Sequence, residues 1–382
     1  MQLPTPDPDA AAASAQLLQS IAGSIAAAGG FLPFERYMHE ALYAPGLGYY
    51  AAGAAKFGAA GDFITAPGTS ALFGATLARQ VAEVTRASSP QVLEFGAGTG
   101  RLAADLLNTL DQDCRIYSIL EPSPELRARQ STLLREAASE HWHKVRWLEA
   151  MPARFSGCII ANEVLDAMPV HLLHLHDGLI EQRGVILDAQ GRLAFADRPA
   201  DATLMREASA LDIAVGPDGY VTELGLAARA WTATLDEVLQ HGVAILIDYG
   251  FPAAEYYHPQ RSNGTLMCHY RHIAHHDPLL YPGLTDLTAH VDFSAVAAAA
   301  QAAGLDVLGY TSQANFLINC GIADLIAKTS PQDSQAYLPL TNQANRLLSP
   351  AEMGELFKVL AIGRGIDFEL SGFARGDRSQ AL

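Results

Sequence analysis

Residues 92–100 read VLEFGAGTG. A short apolar run carrying one carboxylate enters Gly96, Gly98 and Gly100. The next residues, TGRLAADLLNTL, place Leu102, Leu106 and Leu107 at helical spacing. The pattern is strand, glycine turn, helix. Glycine suits such a turn because the chain bends tightly and leaves its backbone open to close approach by a ligand. A dinucleotide fingerprint is GxGxxG, whereas here Gly100 falls one residue early and Arg101 stands at the last position. Glu94 is awkward beside a pyrophosphate but suits a cationic, amino-acid-bearing cofactor without phosphate, such as S-adenosylmethionine. Glu121 ends the following strand in ILEPS, where a carboxylate accepts both hydroxyls of a ribose.

Working outward, strands and helices alternate from Gln91, which predicts right-handed βαβ units and a parallel sheet covered on both faces. RIYSILEP, KVRWLE, GCIIANEV, VAILIDYG and LDVLGYT continue the series, and FKVLAIGRG closes it near the C-terminus. The expected fold class is α/β of the class I methyltransferase type: a Rossmann-like seven-stranded sheet whose last strand is antiparallel, with an N-terminal helical cap and a β-rich insertion. The expected division is a disordered leader over 1–14, a cap segment over 15–88, a core over 89–170 and 226–382, and a β-rich insertion over 171–225. Within the core, 251–291 reads as a Gly/His/Pro-rich loop and 311–350 as a helical excursion.

Composition excludes several function classes. Lys plus Arg is 25 against Asp plus Glu of 41, a net charge of −16. A nucleic-acid binder needs a basic face, so nucleic acid is not the expected partner, and a cationic partner suits the charge better. No continuous apolar stretch has spanning length, so membrane insertion is not expected. The acidic N-terminus MQLPTPDPDAAAASAQ lacks the basic region of a targeting peptide, which predicts a bacterial, cytoplasmic protein. Cys114, Cys158, Cys268 and Cys320 are widely spaced and predict neither a disulfide framework nor a zinc site. Oligomeric state is not legible.

Taken together, FERYMHEALYAPGLGYY, GDFITAPGTSALFG, VLEFGAGTGRLAADLL, LEPSPELRARQ, ANEVLDAMPV, LIDYGF, RSNGTLMCHYRHIAHHDPLLYPGLTDLTAHVDF and TSQANFLINCGI resemble the MidA-like family over about residues 15–365. The resemblance implies a class I methyltransferase fold with a capping N-terminal segment. It implies S-adenosylmethionine binding at Gly96, Gly98, Gly100 and Glu121, and an acceptor side at Asn162, Glu163 and Asp166. Mitochondrial members of the family assist assembly of respiratory complex I and are regarded as protein arginine methyltransferases acting on a core subunit. The partner the resemblance implies is accordingly a protein with an exposed arginine, with a respiratory-complex subunit the first candidate.

An arginine acceptor sets a chemical requirement. The guanidinium is always protonated and its lone pairs are delocalised, so carboxylates must localise charge on some nitrogens to free another for attack. IIANEVLDAMPV ends the fourth core strand with such groups. Glu163 is the expected clamp, with Asp166 or Glu181 as second acid, although Asp166 serves equally as a turn residue. Asn162 would orient cofactor or acceptor. His290, in TAHVDF, is a candidate for accepting a proton or positioning the acceptor. The GDFITAP loop is a candidate lid, with Asp62 in it and Thr65 bonding the cofactor carboxylate; Tyr43, Tyr49 and Tyr50 are candidate walls of the acceptor channel. HLLHLH puts His174 and His176 on one strand face and His171 on the other. Neither it nor HYRHIAHH has a zinc-motif spacing, so no metal is expected. The alternatives are a small-molecule acceptor, a non-catalytic assembly chaperone, and a nicotinamide oxidoreductase.

Overall fold

The structure is a computed structural model that describes residues 3–51, 66–211, 213–216 and 219–382. The alternation starting at Gln91 builds its central sheet. The long strands are β1 (Gln91–Phe95), β2 (Ile116–Leu120), β3 (Val145–Leu148), β4 (Phe155–Asn162), β5 (Leu239–Phe251), β6 (Asp306–Ser312) and β7 (Phe357–Arg364). Their order is β6-β7-β5-β4-β1-β2-β3. Neighbours among β1 to β5 run parallel, and β7 runs antiparallel to both β5 and β6. The expected seven-stranded sheet with an antiparallel last strand is present. A two-residue strand, Val291–Asp292, pairs in parallel with Gly250 and Phe251, the last two residues of β5.

Both faces of this sheet are covered. Val92, Cys158, Ile160, Val243, Ile245 and Val359 point into one buried cluster, and Leu93, Ile159, Ala161, Ala244, Leu246 and Leu360 into the other. That is why these strands read as unbroken apolar runs. A polar residue near the carboxyl end of such a run therefore stands out. Where β5 meets β4 the register shifts by a bulge, and Gly242 takes φ 137. A Cβ there would stand 1.9 Å from the Gly157 carbonyl oxygen, so the strands can approach only with glycine.

The N-terminal segment corrects one expectation. Helix α1 spans Pro8–Ala27 and so begins inside the expected disordered leader. Asp7 accepts the Ala10 N–H and Pro8 opens the first turn, which together make a helix start out of what reads as linker composition. Leu17, Ile21 and Ile25 are buried, as the helical spacing predicts. Helix α2 (Phe34–Tyr43) buries Phe34, Met38 and Leu42, and helix α3 (Ala71–Ala87) packs against the core.

A second, antiparallel sheet runs Leu32–Pro33, Leu179–Leu187, His171–His176, Tyr220–Leu224, with Leu193–Pro199 paired to Leu179–Leu187. The helix Ala202–Ser209 lies within the same segment. The expected loop at 251–291 instead contains a three-stranded antiparallel sheet, Ile273–His275, Met267–Tyr270 and Asp286–Thr288. Strands of three or four residues carry too little periodicity to show through that Gly/His/Pro content. Among the described residues no helix is long and apolar enough to cross a membrane.

Candidate active site

A cavity of about 830 Å³ opens at the carboxyl ends of β1, β2 and β4. This is where an open α/β sheet binds ligands, because the strand order reverses there and neighbouring loops part. Gly96, Gly98 and Gly100 line or border it with φ of 61, 52 and 86. A side chain at Gly98 would meet nothing within 4 Å, so the backbone is bare toward the cavity. Gly100 caps the helix α4 (Arg101–Leu110).

Two carboxylates stand at this end of the cavity. Glu94 is nearly inaccessible and accepts the Tyr117 hydroxyl at 2.7 Å. Burial pushes its pKa up to about 7, and the Tyr117 bond opposes the rise. Glu121 accepts the Ser123 N–H at 3.0 Å and the Gln130 side-chain amide at 3.2 Å. Burial raises its pKa, and these bonds offset part of the rise. Ser123 caps helix α5 (Pro124–Ala137) by accepting the Leu126 N–H. The fully buried Gln130 also donates to the Gly98 carbonyl and accepts from Trp147, so one amide ties the glycine turn to Glu121. Sequence reading missed Gln130: a glutamine inside a helix carries no signal.

The other end of the cavity is acidic. β4 ends at Asn162, whose amide donates to Glu163 Oε1 at 3.0 Å. Glu163 itself takes φ 53, a left-handed conformation rare outside glycine. Among the described residues, its second oxygen, Oε2, and Asn162 Oδ1 are both buried without a hydrogen-bond partner. The buried Asp248 of β5 accepts the backbone N–H groups of Val164, Leu165 and Asp166 through one oxygen and that of Tyr249 through the other. This clamp holds the turn that presents Glu163 and Asp166. Asp286 reaches the cavity from the small three-stranded sheet and accepts the Tyr50 hydroxyl at 2.9 Å.

Burial lifts the pKa of Glu163 to about 8, with Asp166 adding repulsion and the Asn162 amide opposing it. Asp248 is likewise pushed up to about 8 by burial and by Glu163, against its backbone donors. Asp166 is raised by burial, then by Asp248 and Asp286. Among the described residues, none of Glu163, Asp166 and Asp248 forms an ion pair. Glu163 and Asp166, buried at the cavity with no cation paired to them among the described residues, favour a positive charge from outside.

The expected tyrosines line the same space. Tyr43 donates to the Ala167 carbonyl at 2.8 Å and stacks on Tyr50 with centroids 5.6 Å apart, while Tyr49 meets Tyr50 edge-on. Two expectations are corrected. Glu181 lies on the second sheet, bonded to His176 and away from the cavity; Asp286 is the acid brought in instead. His290 lies beside Tyr249 and Phe251 and lines a separate cavity of about 30 Å³, with its pKa pushed down to about 4 by burial. It does not line the main cavity, and its backbone N–H is held by the Thr265 hydroxyl at 3.1 Å. Asp62 and Thr65 lie outside the described residues.

A family model described as "Putative S-adenosyl-L-methionine-dependent methyltransferase" matches residues 76–311. A solved Burkholderia thailandensis protein, described as a "likely methyl transferase" bound to S-adenosyl-homocysteine, is 52% identical, with a TM-score of 0.96 over 100% of both chains. The chain belongs to the MidA-like methyltransferase family. The "Protein arginine methyltransferase NDUFAF7 homolog, mitochondrial" of Drosophila melanogaster is 31% identical over 88% of this chain and 82% of its own length. The human "Protein arginine methyltransferase NDUFAF7, mitochondrial" is 29% identical over 85% and 78%. These mitochondrial names overturn the cytoplasmic expectation, which rested on an acidic N-terminus alone.

As a MidA-like methyltransferase the protein uses S-adenosylmethionine, and its residues suit that group. The cavity has room, the glycine turn is bare toward it, and the buried carboxylates Glu94 and Glu121 line it.

Proposed function

We propose that this methyltransferase modifies an arginine side chain on a protein partner, with Gly96, Gly98, Gly100, Glu94, Glu121 and Asn162 holding the cofactor and Glu163 and Asp166 gripping the acceptor. The observation that carries this reading is that Glu163 and Asp166 are buried acids lining the cavity that form no ion pair among the described residues, and that Glu163 Oε2 has no hydrogen-bond partner among them. The names of the curated relatives point the same way. When bound, S-adenosylmethionine supplies a methyl group activated by its sulfonium, and the C–S bond breaks toward sulfur as the new C–N bond forms. Everything else falls to the chain.

A guanidinium entering the acids satisfies the open Glu163 oxygen through charge-assisted hydrogen bonds. Ionised Glu163 and Asp166 draw positive charge to two nitrogens, so the third keeps more lone-pair density for attack. Methyl transfer would leave the acceptor with two positive charges, so it must shed one proton to become a singly charged methylguanidinium. Glu163, with a pKa near 8, is suited to take it. Tyr43 and Tyr50 wall the entrance, where their rings stack on a planar cation and exclude water. Asp248 never needs to touch the acceptor: its four backbone bonds keep the turn in place. The family resemblance makes respiratory complex I subunits the first place to seek the arginine.

The test is quantitative mass spectrometry of methylarginine in proteins from cells with and without the gene. Loss of one specific methylarginine on deletion is the expected result. An unchanged methylarginine profile would overturn the arginine reading and favour a small-molecule acceptor.

A further inference from the structure

Outside the methyl-transfer cavity, the second sheet gathers a set of side chains that the reaction leaves unused. His174 and His176 alternate onto one face of the strand His171–His176, and Glu181 of the neighbouring strand lies directly opposite His174. One donor atom from each of these three lies within 4.8 Å of the others. His176 Nε2 and Glu181 Oε2 are 2.8 Å apart, and the two imidazole centroids 4.5 Å apart. We propose that His174, His176 and Glu181 form a binding site for a late first-row divalent cation of the zinc class.

The arrangement around the three supports this assignment. His174 Nδ1 faces Asp197 Oδ2 at 2.8 Å, and a nitrogen facing a carboxylate carries the proton. That leaves the lone pair of His174 on Nε2. Asp197 is itself fixed by two hydrogen bonds from Arg183, at 2.8 and 2.9 Å. A carboxylate that fixes the tautomer of a ligating histidine, and is itself anchored, is the usual outer support of a metal site. Gly219, with φ 82, keeps the approach to His174 Nε2 open: a Cβ there would stand 2.9 Å away. Binding would replace the proton shared by His176 and Glu181 with the cation, at bond lengths of about 2.0–2.2 Å. Two imidazoles and one carboxylate select zinc, nickel, copper or cobalt over magnesium or calcium, which prefer all-oxygen sets.

The site tests directly in the full-length protein stripped by a chelator. Zn²⁺ is titrated in competition with a chromophoric chelator. The expected result is one equivalent bound per chain with a Kd of about 1 µM or tighter. His176→Ala and Glu181→Gln should each weaken binding at least about 10-fold, Asp197→Asn should weaken it about 10–100-fold, and Mg²⁺ should not compete. Unchanged affinity for S-adenosylmethionine in each variant shows that the fold is intact. Failure of the wild-type protein to bind one equivalent, or undiminished affinity in His176→Ala, overturns the proposal.

Discussion

Glu163 combines a left-handed backbone, at φ 53, with a carboxylate oxygen that is buried and has no hydrogen-bond partner among the described residues. A non-glycine residue held there costs about 1–2 kcal/mol, which a purely structural turn would not need to carry. Its pKa of about 8, against an ordinary 4.5, ties stability to pH. Between those values the folded chain retains a proton that the unfolded chain has lost. The stabilising contribution is therefore full below about 4.5 and is lost as pH rises through 8. Glu163→Gln should remove this dependence, so thermal melts from pH 5 to 9 should show the variant gaining on the wild type toward the alkaline end. Glu94 gives a second pH signature. With a pKa near 7 it is neutral in acid, and the cationic cofactor prefers it ionised. Calorimetry should find cofactor affinity rising with pH through 7, and Glu94→Gln flattening the profile with about 10-fold weaker binding at pH 8. At the acceptor end, Asp286→Asn should raise KM for the acceptor about 10-fold or more while leaving cofactor affinity unchanged, as steady-state kinetics and calorimetry would show.

At the scale of elements, the strands of the core sheet were legible because each is buried on both faces, and Glu94 and Glu121 stood out against that apolar background. The helix start at Asp7–Pro8 was hidden because proline and aspartate mark linkers and N-caps alike. The three short strands between 267 and 288 were hidden because their pairing, not their pattern, defines them. The turn after β4 shows how one element supports another: Asp248 of β5 holds residues 164–166 through their N–H groups. Asp248→Ala should leave those donors unmatched and lower stability by about 2–4 kcal/mol in denaturant titration. Transfer activity should fall with it, because the turn carries Glu163 and Asp166.

For the whole molecule, the acids lining the cavity beside Asn162 come from positions 163, 166 and 286, and Asp248 holds the turn that carries the first two. Asn162, Glu163 and Asp166 were legible as a set because they are contiguous and end a strand. Asp248 and Asp286 were not, since no local pattern announces that distant segments converge; Glu181 was chosen for its charge and lies elsewhere. The histidine pair was dismissed on spacing along one strand, and the cross-strand partner that completes it is visible only in the sheet. The net charge of −16 and the acid-lined mouth suit capture of a cationic protein segment. The most direct test of that account incubates the purified enzyme and methyl-labelled S-adenosylmethionine with proteins from cells lacking the gene. Label is then read as methylarginine, beside cofactor affinity measured by calorimetry. The wild type should label arginine, and Glu163→Gln should lose at least about 100-fold of that activity with cofactor affinity changed less than about 3-fold. Label outside arginine, or a Glu163→Gln variant that binds cofactor poorly yet turns over normally at saturation, would contradict it.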